Sequence, residues 1–530
     1  MQVVWFKRDL RVSDHEALYQ ASCLGPVLCC YVIEDQYWQL PDTSDRHWQF
    51  IRSCLDELAS QLAKLNCQLL VFKGEVCFIF AQLYRELGEF VLHSHQETGN
   101  GWTYQRDKAV AAWCRQHAVQ WREYAQHAVL RGNAALEQRT NNPSDSSAKK
   151  SVNNSSNKGA NKGANPRKTF AKRRKDWREQ WLQFAKVPLW PKPQFAASDI
   201  EPLISSLTSH AISPLRSLPL VLKDDLYDCP FRQMGGRSAA VALLKSFLAA
   251  RGERYQATIS SPQSAETGCS RLSPYLAYGT VSIRELLHQL DRSFAERPDH
   301  QWRKSLKAFQ SRLVWHCHFI QKLETNPKAE FSNMQVLYNA LDRPWHAERF
   351  AAWQHGNTGW PIVDACMRYL IVHGWINFRM RAMLVSVACY TLKLPWQPVA
   401  QWLAQLFVDY EPGIHYPQIQ MQSGTNGNQV LRIYNPLSQA QELDPDGVFV
   451  RRWVNELQHV PTTWIFAPDK MPIQLKQQYG SEHYPAPLVD FVLAHRAAKQ
   501  EISVLRQRLS PSSTDGVAEN RQFSLFQESS

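Results

Sequence analysis

The sequence predicts an α/β N-terminal domain with a Rossmann-like open parallel sheet, followed by a large all-α C-terminal domain. Two observations lead there. Over roughly the first 130 residues, short apolar runs alternate with a run carrying apolar residues at helical spacing, the rhythm of a sheet covered by helices on both faces. From about residue 230 onward the pattern is almost wholly helical.

The strand segments are "QVVWF" (2–6), "PVLCCYVI" (26–33), "CQLLVF" (67–72) and "FVLHS" (90–94). Apolar runs of this length belong to a parallel sheet buried on both faces. Between them "HWQFIRSCLDELASQLAKL" (47–65) reads as an amphipathic helix. A ligand of such a domain sits at the C-terminal ends of the strands, where "KRDLR" (7–11) follows the first strand. Residues 140–166, "TNNPSDSSAKKSVNNSSNKGANKGANP", hold too little apolar content to offset ordering entropy and are expected to be disordered. In the helical half, 306–325, 361–373 and 375–393 are the clearest helices. The expected organisation is an α/β domain over 1–135, a linker over 136–225 containing the basic insertion 140–166, a helical domain over 226–500 and a polar tail over 501–530.

Net charge is +12, but residues 149–178 hold eleven Lys or Arg against the single acid Asp176, so the rest of the 530-residue chain is nearly neutral. The basic pI therefore belongs to one segment, read as a solvated linker with a DNA-contacting arm as the alternative, and says little by itself about nucleic acid. The twelve cysteines show neither a disulfide framework nor metal-type pairs, and none follows Cys389. A reduced, cytoplasmic compartment and no metal site are expected. The start "MQVVWFKRDLR" is charged within ten residues, unlike a signal peptide. No apolar run reaches the roughly 20 residues of a membrane span. The 19 tryptophans suggest packed helical layers or a site that uses ring faces.

Four constellations carry chemistry. "TGCSRLSPYLAYGTVS" (267–282) sets hydroxyls and backbone N–H groups before a helix, an anion cradle whose alternative reading is simple self-capping. "FQSRLVWHCHFIQKLE" (309–324) puts Trp315 and Phe319 on one helical face with Arg312 beside them; a core stripe is the equal alternative. In 353–384, Asp364 lies on an apolar helix and Arg379 and Arg381 follow. Buried charge needs a partner, so an Asp/Arg network is expected. Finally "DYEPGIHYPQIQMQ" (409–422) offers Asp409 as a partner for Arg381 and leaves Glu411 and His415 facing something polar and planar.

Five blocks, "VVWFKRDLRVSDHEAL" (3–18), "SRLSPYLAYG" (270–279), "GNTGWPIVDACMRYL" (356–370), "RIYNP" (432–436) and "VFVRRWVNEL" (448–457), occur in the order found in the photolyase/cryptochrome flavoproteins, which the chain resembles over most of its length. The resemblance implies an antenna-type α/β domain and a helical domain holding FAD. It also implies a basic face through which damaged DNA presents a flipped pyrimidine photoproduct. By the same resemblance the phosphate-contacting loop is Cys269, Ser270, Arg271, Leu272 and Ser273, and Tyr255, Phe309 and Arg312 join the cofactor-binding residues. Arg381 and Asp409 form the salt bridge beneath the flavin, and Glu411 replaces an Asp that accepts from its pyrimidine edge. Trp315 is the lesion-stacking tryptophan, and Arg379 and Arg451 lie on the DNA-facing side.

Departures from the family pattern are as informative. The residue facing flavin N5 is His415, an imidazole that ordinarily titrates near neutrality. The proximal tryptophan of the electron relay is replaced by Ile419; Trp396 takes the middle place, with Trp345 as an outer candidate. A second stacking tryptophan becomes Met421, a substrate-side Glu becomes Arg312, and two further pocket positions become Phe378 and Ala382. The absence of late, clustered cysteines argues against the iron–sulfur branch. The resemblance thus implies a light-driven DNA-repair flavoenzyme using reduced FAD, with Trp315, His415, Met421 and Trp396 as catalytic candidates. The alternative is a cryptochrome-like photoreceptor that binds FAD without repair. A second antenna chromophore, folate or deazaflavin in type, and a monomeric state are further expectations.

Overall fold

Five strands form one parallel sheet: β1 (Gln2–Phe6), β2 (Val27–Ile33), β3 (Leu69–Lys73), β4 (Val91–His95) and β5 (Gln120–Tyr124), in the order β3-β2-β1-β4-β5. The computed structural model that gives this topology describes residues 1–129, 131, 177, 179–195, 229, 231–297, 299–341, 343–427 and 432–509. The insertion expected at 140–166 and the tail beyond 509 lie outside the described residues.

Successive strand residues alternate between two apolar layers. Val4, Phe6 and Cys29 join one core, while Val3, Trp5, Leu28 and Cys30 join the other, so the adjacent cysteines point to opposite faces. β5 is the strand the apolar pattern does not announce: "QWREY" sits at the sheet edge with no fully buried residue, and its charges suit an edge. Helices α1 (Glu16–Leu24), α2 (Asp35–Trp38), α3 (Asp45–Ala63), α4 (Val76–Leu87) and α5 (Gly101–Gln116) accompany the strands. The strand order reverses at β1, which makes the β1/β4 crevice the topological switch point.

The helical half contains α6 (Arg237–Ala249), α7 (Ile283–Glu296), α8 (His300–Thr325), α9 (Pro361–His373), α10 (Phe378–Ser386), α11 (Trp396–Leu406), α12 (Pro412–Ser423) and α13 (Phe491–Leu509). Among the described residues no helix is long and apolar enough to cross a membrane. α12 packs on α8, α10 and α11. Gly413 permits the first of these contacts, because a Cβ there would lie 3.0 Å from the Cα of Ile320 on α8.

One apolar core runs from β1 and α3 into α8 to α12, so the two halves share an interior. "KRDLR" forms much of the seam. Arg8 donates to the carbonyls of Ala277 (2.9 Å) and Tyr410 (2.5 Å), and Arg11 to that of Gly279 (3.0 Å). At Gly279 φ is +64°, and an added Cβ would meet the Arg8 carbonyl oxygen, which only glycine avoids. Deeper in the seam, Asp14 accepts from Arg284 and from Ser282.

Candidate functional site

Arg381, in the first turns of α10, faces the loop that leads into α12. Its Nη1 and Nη2 donate to Asp409 Oδ1 and Oδ2 at 3.0 and 2.9 Å, a two-pronged pair that fixes both planes. Nε donates to the Ile376 carbonyl at 2.7 Å, and the guanidinium lies 4.0 Å from the Phe407 ring centroid.

The segment Cys269–Ser273 reaches the same place. Cys269 is buried and extended, Arg271 adopts a left-handed φ of +60°, and the short helix Ser273–Ala277 follows. Among the described residues, the N–H groups of Ser270, Arg271 and Leu272 donate to no protein acceptor. Burial pushes the Cys269 thiol up to about 12, against the opposing pull of Arg271, Arg251, Arg312 and Arg381. Four guanidinium groups thus act on the Cys269 thiol. Tyr255 reaches Arg312 and packs edge-on against Phe309, with ring centroids 5.9 Å apart. Tyr255, Cys269, Phe309, Arg312 and Arg381, far apart in sequence, thus converge.

Glu411 lies elsewhere than at a free edge. Its carboxylate is 3.4 Å from Arg8 across the seam and caps α12 by accepting from the Gly413 N–H. Burial raises its pKa, opposed by Arg8. His415 donates or accepts at Nε2 with the Ala400 carbonyl, 2.9 Å away; a carbonyl can only accept, so Nε2 carries the proton and Nδ1 is an acceptor. Burial holds its pKa down to about 4, with Ala400 opposing, so the titration near neutrality expected from free imidazole gives way to a neutral ring. Tyr410 and Tyr416 stand edge-on to that ring and both donate to Asp42, at 2.5 and 3.2 Å.

Trp315 is half-buried on α8 and stacks on Phe319, with centroids 5.4 Å apart and 28° between planes. Met421 is half-buried on α12, Phe378 is 42% exposed and Ala382 is buried. Trp396 opens α11, its indole donating to Asn333 Oδ1 at 2.7 Å, while Trp345 is exposed and tilts against Phe350. Arg379 is engaged by Gln439 and Glu442, both at 2.8 Å, and Arg451 by the Val460 carbonyl at 2.9 Å. Arg452, which pairs with Glu266 at 3.1 Å, is the more exposed of this group. The Asp/Arg network expected around Asp364 is replaced: that carboxylate accepts from the Thr358 and Gly359 N–H groups, the Thr358 hydroxyl and Tyr484, so local donors satisfy it. Two residues escaped the sequence reading. Arg251 reaches the Cys269 carbonyl, and Asn377 is buried with Oδ1 unpartnered. Asn377's position between Trp375 and Arg381 was the available signal.

Comparison with known proteins follows this geometry. The DNA photolyase family model matches residues 2–194, and the model of the FAD binding domain of DNA photolyase matches 309–504. The chain belongs to the photolyase/cryptochrome family. A deoxyribodipyrimidine photo-lyase of Synechococcus sp. is 26% identical over 523 residues, covering 97% of this chain and 98% of that protein. Cryptochrome-2 of Gallus gallus is 23% identical over 539 residues, covering 96% and 84%. The solved structure of a Synechocystis sp. cryptochrome superposes with a TM-score of 0.76 at 22% identity, covering 94% of this chain and 98% of that one, which matches the fold. The family's flavin also fits the residues present. The open N–H groups of 270–272 amid four guanidinium groups suit a pyrophosphate. The Arg381–Asp409 pair and the unpartnered Asn377 Oδ1 suit the polar rim of a planar ring system.

Proposed function

We propose that this family member is a light-driven DNA-repair flavoprotein, a photolyase-like carbon–carbon lyase acting as a cytoplasmic monomer on a flipped pyrimidine photoproduct. The observation that carries the reading is the half-buried Trp315–Phe319 stack on α8, the helix whose preceding turns supply Phe309 and Arg312 to the flavin-binding residues. A ring face beside a flavin site is what a splayed base needs. Reduced FAD, when bound, supplies the light-driven one-electron chemistry. The chain's own residues do the rest. Arg381, held flat by Asp409, orients the ring system, and the 269–273 segment with Arg271 and Arg251 takes the phosphates. His415 stays neutral with Nδ1 as an acceptor, and Trp315 with Met421 holds the lesion. Arg452 and, once released from their partners, Arg379 and Arg451 meet DNA phosphates, an affinity that falls with salt. For a second chromophore, the switch-point crevice beside Lys7, Arg8, His95 and Gln126 is the available place.

The rival photoreceptor reading draws support from Phe378 and Ala382, whose side chains offer no polar group to a lesion. Reduced protein illuminated with blue or near-ultraviolet light decides between them. Repair of oligonucleotides carrying cyclobutane or (6-4) lesions is expected, and repair of neither would sink the enzyme reading. The absorption spectrum of the same sample tests the second chromophore.

A further inference from the structure

The loop after β5 and the middle of α8 meet at the domain seam, where His127 from the α/β side faces His316 and Cys317 from the helical side. One donor atom of each lies within 4.8 Å of the other two. The two imidazoles stand edge to face with centroids 5.2 Å apart. Nδ1 of both rings is buried without a hydrogen-bond partner. Unpaired buried polar atoms each cost roughly 1–3 kcal/mol, and two of them on adjoining rings beside a thiol call for a shared partner. We infer that His127, His316 and Cys317 bind one zinc-type divalent ion that clips the two domains together.

The donor set selects the ion. Two imidazole nitrogens and a thiolate suit zinc and its neighbours, whereas magnesium and calcium prefer oxygen. The neutral imidazole and the thiolate are the forms that coordinate, so binding releases the thiol proton. His127 also lines the switch-point crevice with Gln126 and Ile320, which gives water access to a fourth coordination position. The neighbouring group Asp9, His15 and His95 is different in kind. His15 Nδ1 accepts from the Leu18 N–H, and the Asp9 carboxylate lies 3.0 Å from His15 Nε2 and 2.7 Å from His95 Nδ1, so a carboxylate already couples the two rings there. Sequence spacing offered no metal-type pair because the ligands come from opposite sides of a seam.

Full-length protein stripped with chelator and titrated with Co²⁺ tests the assignment, with Zn²⁺ competition for affinity. One equivalent is expected, with the visible bands of a tetrahedral ion and a thiolate charge-transfer band. Cys317→Ser should remove the charge-transfer band. His127→Ala, a loop change checked by circular dichroism for an intact fold, should lower affinity by at least the roughly 10–100-fold that even outer-shell changes cost, and Zn²⁺ should raise the Tm of the parent but not of His127→Ala. No saturable binding, or binding that survives both substitutions and is lost only with His95→Gln, overturns the proposal.

Discussion

At the scale of single residues, the Arg381–Asp409 pair is the most consequential contact. Asp409→Ala leaves a guanidinium in an apolar site with no counter-charge, and losing one partner of such a pair costs on the order of 2 kcal/mol or more. FAD content, read as flavin absorbance per protein, should collapse in Asp409→Ala and survive in part in Asp409→Asn; full occupancy in the alanine variant would place the flavin elsewhere. His415 carries a second prediction. With its pKa near 4, its NMR signals should remain those of a neutral ring, protonated at Nε2, from pH 8 down to about 5, and a midpoint near 6.5 would contradict the buried geometry. The sequence disclosed the first pair because two charges in apolar surroundings must find each other. It hid the depressed pKa of His415 and the Arg8–Glu411 pair, since burial and a contact across the whole chain are properties of the fold alone. It misled at Asp364, where backbone N–H groups of a turn serve as well as an arginine.

At the scale of elements, α12 shows how a helix can be held by what it lacks. An alanine at 413 would gain up to about 1 kcal/mol of helix propensity, yet its Cβ would meet Ile320 Cα and Cγ1 at 3.0 Å. Both contacts are on the facing helix, and the Cα cannot swing aside. Overpacking of this kind costs roughly 1–3 kcal/mol, so Gly413→Ala should lower the midpoint of chemical denaturation despite the better helix former; an unchanged or higher midpoint would show that α8 and α12 can separate freely. Four strands and the long helices were legible as apolar periodicities. β5 was not, because an edge strand built from charged and half-buried residues carries little hydrophobic signal.

At the scale of the whole molecule, neutral buried acids and bases shape the response to pH. His47 and His95 are held near 3, and His93 near 4, by burial. Such groups cost nothing above pH 6.5 and withdraw stability as pH falls below it, each by at most about 1.4 kcal/mol per unit, because the unfolded chain takes the proton first. Burial and nearby Asp42 raise Glu330 to about 8, which works in the opposite direction: stability present below pH 4.5 is lost as pH rises toward 8. Glu330→Gln keeps an acceptor for the Gly101 N–H and removes that loss. Its Tm should exceed that of the parent at pH 8 and converge with it near pH 4.5, and an equal difference at both would rule out titration of Glu330 as the cause. The tight fit of Gly279 against Arg8 has a consequence for heredity and engineering. The α/β half is not an interchangeable cassette, because residues 7–14 are keyed to 277–284 and to the loop at 409–411. Chimaeras between relatives, cut in the long connection between the halves, will assemble only when all three segments come from the same parent.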